Sequence, residues 1–344
     1  MVFWWIPLLM AVMSWTLTGC LRRYALAKNL IDMPNARSSH SVPTPRGGGV
    51  AIVASFLTIL PILNALDLLS TSVCLALWGA GAAVAIIGFL DDHGHVGARW
   101  RLLVHFGSAL WGLYWLGGLP TLTIFGYGLD FGWFGHVCAA VYIVWVLNLY
   151  NFMDGIDGLA GIEAITVCCG GALMAWLVMP DSAAWMSPIV LASAVSGFLV
   201  WNFPPARIFM GDAGSGFLGI MLALLSVQAA WVDARLLWAW LILLGVFIVD
   251  ATVTLCRRVL RGEKFYVAHH SHAYQYASRL RGAHRPVTLA IGAINIFWLM
   301  PVAGLVALGK LDGIVGLMAA YLPLLLVAYR YKAGDHRTQI RLGK

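Results

Sequence analysis

Apolar stretches long enough to cross a bilayer as helix recur along this chain, and they constrain its fold more than any other feature. Eleven can be read, at about 3–21, 49–66, 72–90, 102–118, 134–150, 158–179, 185–201, 214–232, 236–255, 288–308 and 313–330. A helical crossing needs roughly 20 such residues, and in hydrocarbon a segment must satisfy its own backbone amides, so each stretch is expected to be helical. Charged residues make up 11% of the chain and hydrophobic ones 61%, whereas a soluble domain carries about 25% charged. The expected fold class is all-α: a polytopic membrane protein of about 11 transmembrane helices. Residues 1–344 then form a single domain, with no length left for a separate soluble unit.

The basic residues orient these spans. With the N-terminus outside, only Arg235 and Lys310 of the 22 Lys and Arg residues fall on the outer side, which is the bias of the positive-inside rule. The formal net charge of +7 follows from that bias and suits lipid headgroups or phosphate, so no nucleic acid is needed to explain it. Leu17-Thr18-Gly19-Cys20 has the form of a lipoprotein cleavage site, but Met1 to Trp15 contains no Lys or Arg, which a secretory leader requires. The six cysteines lie in or beside apolar stretches without metal-ligand spacing and read as packing residues.

The carboxylates Asp91, Asp92, Asp154, Asp157 and Asp212 all fall at inner ends of spans or in the adjoining loops. A transporter or lipid flippase is the rival reading; it would place functional acids near the midplane and is often built from two related halves. No internal copy is visible, and Glu163 and Asp250, within spans, are its support. Intramembrane acids more often pair with neighbouring helices.

Five inner loops carry the remaining signal. Asp32 to Gly49 is basic and rich in turn formers, ending Pro43-Thr-Pro-Arg46-Gly-Gly-Gly; the glycines are expected either to let backbone N–H groups approach a phosphate beside Arg46 or to form a flexible loop at the headgroups. Asp91-Asp92 places two acids where an apolar helix meets water, which calls for a cation, a raised pKa or simple solvation. In Asn148-Leu-Tyr-Asn151-Phe-Met-Asp154-Gly-Ile-Asp157, helical spacing puts Asn148, Asn151 and Asp154 or Asp157 on one face, and no basic residue lies nearby. Asp212 opens a glycine-studded apolar stretch, where a helix N-terminus also attracts anions. After Asp250 come Arg257, Arg258 and Arg261, then His269, His270 and His272, whose spacing suits phosphate contact better than zinc.

Acids and amides suited to Mg²⁺, together with Arg and His suited to phosphate, describe a Mg²⁺-dependent phosphotransferase with one membrane-embedded substrate. Ordered motifs along nearly the whole chain also resemble the polyprenyl-phosphate N-acetylhexosamine-1-phosphate transferases, glycosyltransferase family 4, which include the phospho-MurNAc-pentapeptide translocase. They are DMPNxRxxHxxPTPRGGG at 32–49, GFLDD at 88–92, NxxNFMDGIDGLAG at 148–161, PARIFMGDAGSGFLG at 205–219 and DATVTLCRRVLRGE at 250–263. Asp154-Gly-Ile-Asp157-Gly158 alone is similar to the start of the CDP-alcohol phosphotransferase signature, but Gly161-Ile162 follows in place of its Ala-Arg.

The resemblance implies transfer of HexNAc-1-phosphate from a UDP-N-acetylhexosamine to undecaprenyl phosphate, with release of UMP, in the bacterial inner membrane. It also implies a periplasmic N-terminus, a cytoplasmic C-terminus and an active site on the cytoplasmic face. Asp212 matches the family's Mg²⁺ ligand, with Asn151 as helper and Mn²⁺ as an alternative ion. Asp91 and Asp92 match its acidic pair, as base, covalent nucleophile or electrostatic support; Arg46, Asn148, Asp154, Asp157 and the histidines are expected to contact substrate. The histidine loop departs from the commoner pattern: His272 is followed by Ala273-Tyr274-Gln275, so His272 carries over and His269 and His270 remain alternatives. Together with the short PTPRGGG loop, this is closer to the branch that initiates O-antigen synthesis. A homodimer is a further expectation of the resemblance alone.

Overall fold

In the computed structural model, residues 5–34, 42–94, 96–263 and 270–335 are described. The chain forms α1 (Trp5–Ala27), β1 (Ile31–Asp32), β2 (Thr44–Pro45), α2 (Val50–Ala65), α3 (Thr71–His93) and α4 (Ala98–Leu116), then β3 (Leu122–Ile124), β4 (Tyr127–Leu129), α5 (Gly132–Met153), α6 (Leu159–Val178) and α7 (Met186–Asn202). It continues with α8 (Asp212–Val232), α9 (Ala234–Leu243), α10 (Gly245–Leu260), α11 (Ala273–Arg281), α12 (Arg285–Ile294), α13 (Met300–Ala307) and α14 (Gly313–Arg330). Each of the eleven apolar stretches coincides with one helix or one interrupted pair. Seven helices among the described residues are long and apolar enough to cross a bilayer, and α9 with α10, bent by 66°, would make an eighth. The others fall short for visible reasons: α2 has 16 residues, α4 opens on Arg99 and Arg101, and the apolar run of α1 is interrupted by Ser, Thr and Trp residues.

The axis of the bundle is α8, apolar on every side and buried along almost its whole length, as a helix enclosed by other helices must be. It packs against α2, α3, α4, α5, α6 and α9, and small residues set how closely they approach. A Cβ on Gly219 would lie 2.7 Å from the Leu147 Cα of α5, and one on Gly88 2.7 Å from the Ala213 Cα. Between α12 and α13, residues Asn295–Leu299 form a π segment. Pro301 follows it and lacks an N–H to continue the ladder, which explains the local widening.

Two small antiparallel pairs complete the chain. Leu122–Ile124 pairs with Tyr127–Leu129 through Phe125 (φ 49°) and Gly126 (φ 81°), the positive angles that a tight two-residue hairpin turn demands. The Phe125 N–H donates to Asp312 at the start of α14 (2.7 Å). Ile31–Asp32 pairs with Thr44–Pro45, which closes the loop between α1 and α2 and leads the chain into α2.

Candidate active site

The start of α8 organises the site. Its first amides have no partner within the helix, and Asp92, at the end of α3, supplies one: the Asp212 N–H donates to its Oδ1 (3.1 Å) and the Ala213 N–H to its Oδ2 (3.2 Å). Gly88 makes the approach possible, because a Cβ there would meet the Asp212 carbonyl at 2.6 Å. Arg46 donates to the backbone oxygen of Asp92 and so ties β2 to the same point. Two of the three glycines after Arg46 have a different use from either sequence expectation. Gly48 and Gly49 donate their N–H groups to Phe209 and Met210 carbonyls (both 2.9 Å), and a Cβ on Gly49 would lie 2.5 Å from the Gly214 Cα. They are packing residues, and those two amides are already spent.

Asp91 points the other way. Its Oδ2 receives the Arg101 guanidinium at 2.5 Å and its Oδ1 the Val96 N–H at 2.8 Å. The same Arg101 nitrogen stands 3.7 Å from Asp212 Oδ2, so one cation spans the ends of α3 and α8. These three side chains, with Asn148, Asn151 and His105, line a cleft of about 320 Å³ between α3, α4, α5 and α8. Below the polar mouth its walls are apolar, formed by Val84, Leu102, Phe106, Val144, Trp145 and Leu255 among others. Asn148 also donates to the Val144 carbonyl (2.7 Å), which fixes its amide.

Helical convergence stops at Asn151, because α5 ends at Met153 and Asp154 is already its C-cap. Gly155 and Gly158 (φ 72°) then turn the chain into α6, and a Cβ at Gly155 would collide with the Tyr274 hydroxyl. Asp154 stays near the cluster without a hydrogen bond to its carboxylate among the described residues. Burial first, and then the negative charges of Asp212, Asp92 and Asp157, push its pKa up to about 7. Asp157 leaves the Asn148–Asn151 face: its Oδ2 accepts the Ala206 N–H (3.0 Å) and its Oδ1 lies 3.2 Å from His284 Nδ1, while its carbonyl accepts Thr288 (2.8 Å). Asn202 binds the same joint, accepting the Gly158 N–H (3.0 Å) and donating to Ile208 (2.9 Å).

Of the histidines, His269 lies outside the described residues. His272 is 3% exposed, with Nδ1 3.4 Å from Asp250 Oδ1. That carboxylate accepts the Ala273 and Tyr274 N–H groups (2.9 and 3.0 Å) and so opens α11 as Asp92 opens α8. The half-buried His270 has its carbonyl held by Arg279 (3.1 Å). Tyr274 donates its hydroxyl to the Phe152 carbonyl (3.1 Å) and brings this loop against the Asp154 turn. The described parts of all five motif loops therefore meet, although of the candidate residues only Asp91, Asn148, Asn151 and Asp212 line the cleft.

Two residues that hold the site together, Arg101 at the cleft and Asn202 at the joint, were not singled out from sequence as site residues. Arg101 had a signal, since it and His105 are polar at i, i+4 spacing in a mostly apolar helix; Asn202 had only its place before Pro204-Pro205. Asp212 and Asn151 offer oxygen ligands, which suits Mg²⁺, and among the described residues the Asp154 carboxylate feels three other acids and no cationic partner. Among the described residues no three His, Cys, Asp or Glu side chains converge to hold a metal by themselves. Mg²⁺ does not require that, because it usually binds one or two carboxylates and completes its shell with water and substrate phosphate.

A multi-span helical bundle whose helix ends gather acids, amides and arginine at one cleft defines the class, and residues 74–230 match the profile of glycosyl transferase family 4. The chain belongs to that family. It is 32% identical over 231 residues to a phospho-N-acetylmuramoyl-pentapeptide-transferase of Wolbachia sp. subsp. Brugia malayi, covering 63% of this chain and 68% of the relative. A probable undecaprenyl-phosphate N-acetylglucosaminyl 1-phosphate transferase of Bacillus subtilis is 29% identical over 289 residues (82% of this chain, 79% of the relative). A decaprenyl-phosphate N-acetylglucosaminephosphotransferase of Mycobacterium leprae is 28% identical over 362 residues (92% and 88%).

Proposed function

We propose that the protein transfers HexNAc-1-phosphate from a UDP-N-acetylhexosamine to undecaprenyl phosphate at the cytoplasmic face of a bacterial inner membrane, as the first step of an O-antigen or related envelope glycan. One observation carries this reading. The cleft has Arg101 between two carboxylates at its mouth and apolar walls below, the shape and polarity of a phosphate on a long hydrocarbon tail.

In the reaction, an oxygen of the lipid phosphate attacks the sugar-linked phosphorus. The P–O bond to the UMP phosphate breaks, and UMP leaves with the electron pair. A phosphate monoester is largely ionised near neutral pH, so the attacking oxygen needs little help from a base. Asp91 has both oxygens engaged by Arg101 and Val96, and Asp92 has both engaged by α8, which supports direct attack over a covalent aspartyl intermediate. Arg101 takes the acceptor phosphate, Asp91 orients Arg101 and receives any residual proton, and Asp92 positions Asp212. Asp212 and Asn151 would hold Mg²⁺, which supplies charge neutralisation on the diphosphate. Asp154, the 154–158 turn and the loop bearing His270 and His272 form the donor side, with Asp157 as a positioning residue rather than a direct contact.

Glu163 and Asp250, the acids that favoured a transporter, have structural partners: Glu163 accepts from Asn295 (2.7 Å) and Asp250 opens α11. The test is conversion of labelled UDP-HexNAc donors by the purified protein with and without undecaprenyl phosphate. A lipid-linked sugar diphosphate formed only with acceptor present supports transfer; movement of lipid across vesicles without UMP release would favour the flippase.

A further inference from the structure

Residues 331–335, which follow α14, return to the histidine loop. Ala333 is fully buried, and its carbonyl accepts Arg257 Nη1 (2.8 Å). Arg261 Nη1 donates to the Gly334 carbonyl (2.5 Å), and the Gly334 N–H donates to Ser271 (2.6 Å), between His270 and His272. Gly334 has φ 76°, and a Cβ there would stand 2.9 Å from the Arg257 Cβ and 3.1 Å from the Thr254 carbonyl; only glycine reaches this position without strain. Arg257 also lies over the Tyr329 ring at 5.4 Å, and Lys332 over Tyr276 at 5.7 Å. Side chains from the last turn of α10 therefore grip the C-terminal segment, and the segment in turn grips the loop.

We propose that residues 331–335 are a strap that sets the position of the histidine loop and hence the affinity for the nucleotide-sugar donor, with Arg257 and Arg261 as its positioning residues. The inference rests on the reading of that loop as part of the donor side. A carbonyl held by a charged donor is a strong bond for an otherwise irregular segment, and a small displacement of a substrate-positioning group is costly. The acceptor cleft lies mainly between α3, α4, α5 and α8; α10 lends it only Leu255, and neither residues 331–335 nor Arg257 and Arg261 line it.

The experiment compares full-length wild type, Arg257→Ala, Arg257→Lys and Gly334→Val in detergent. It reads KM for the UDP-sugar, KM for undecaprenyl phosphate, kcat, and amide hydrogen exchange over residues 270–274. Arg257→Ala and Gly334→Val are expected to raise the donor KM about tenfold, the equivalent of one charge-assisted hydrogen bond. The acceptor KM should move less than about twofold, exchange over 270–274 should accelerate, and Arg257→Lys, which keeps a cationic donor, should restore both. Faster exchange with an unchanged donor KM would overturn the proposal, as would unchanged exchange in both disrupting variants. If wild type turns over no donor at all, the transferase reading fails separately, while the exchange data still judge the strap. Should Arg257→Ala not fold, Gly334→Val disturbs the same contact from the other side.

Discussion

Asp92→Asn separates a helix-capping acid from a chemical one. Asp92 is 8% exposed, and its two oxygens accept the first amides of α8. Asparagine keeps one acceptor and turns its NH₂ toward the other amide. Leaving that buried N–H unsatisfied costs about 1–3 kcal/mol, and the surviving bond falls from charge-assisted to neutral, about 1 kcal/mol more. Loss of a counter-charge at the N-terminus of α8 adds about 0.3–1 kcal/mol. The total of roughly 2–5 kcal/mol falls on the turn that carries Asp212, so kcat should drop on the order of 10²-fold, and the Mg²⁺ concentration for half-maximal rate should rise. Steady-state UMP release across a Mg²⁺ titration measures both. A phosphosugar adduct on Asp92, or an Asp92→Asn enzyme with wild-type Mg²⁺ dependence, would refute the capping role.

Three further outcomes follow from the geometry. Arg101→Lys keeps the charge but loses the planar guanidinium whose Nη1 faces Asp91 and Asp212 while its other N–H groups can meet phosphate, and should raise the KM for undecaprenyl phosphate about tenfold, with Arg101→Ala about a further tenfold; an unchanged acceptor KM would remove Arg101 from the phosphate site. Because the Asp154 pKa is raised to about 7, the folded protein binds its proton more tightly than the unfolded chain. In EDTA, thermal stability should therefore decline as pH rises from the ordinary carboxylate range through about 7. Asp154→Asn should flatten that slope, and parallel melting curves for the two proteins would contradict the raised pKa. Gly49→Val drives a side chain into the Gly214 backbone and should lower the melting temperature by several degrees, the effect of about 2 kcal/mol or more, whereas Gly107→Ala, with nothing within 4 Å of its Cβ, should be neutral or slightly stabilising.

Much of this architecture is legible in the sequence because hydrocarbon imposes one rule on every span. The apolar stretches mark the helices, and the motif loops around Asp91, Asn151, Asp212 and His272 meet as their order implies. What escapes is the use to which a residue is put once the loops meet. Adjacent Asp91 and Asp92 look equivalent in sequence, yet one faces the cleft and the other the amides of α8, because successive residues at a helix end point about 100° apart. The i, i+3 spacing that joins Asn148 to Asn151 would have carried on to Asp157 had α5 not ended at Met153. Of the glycines after Arg46, which suggest phosphate, Gly49 instead serves close packing, a choice made by Gly214, far along the chain. The 66° bend between α9 and α10 leaves no mark in hydropathy, which records apolarity but not direction.

Sugar-phosphate transfer is decided by UMP release from purified protein with undecaprenyl phosphate, Mg²⁺ and a panel of UDP-HexNAc donors, comparing wild type with Asp212→Ala. Release should require both lipid and Mg²⁺, identify the donor, and disappear in the variant. Release that persists in Asp212→Ala, or its absence with every donor from well-folded wild-type protein, would contradict this reading.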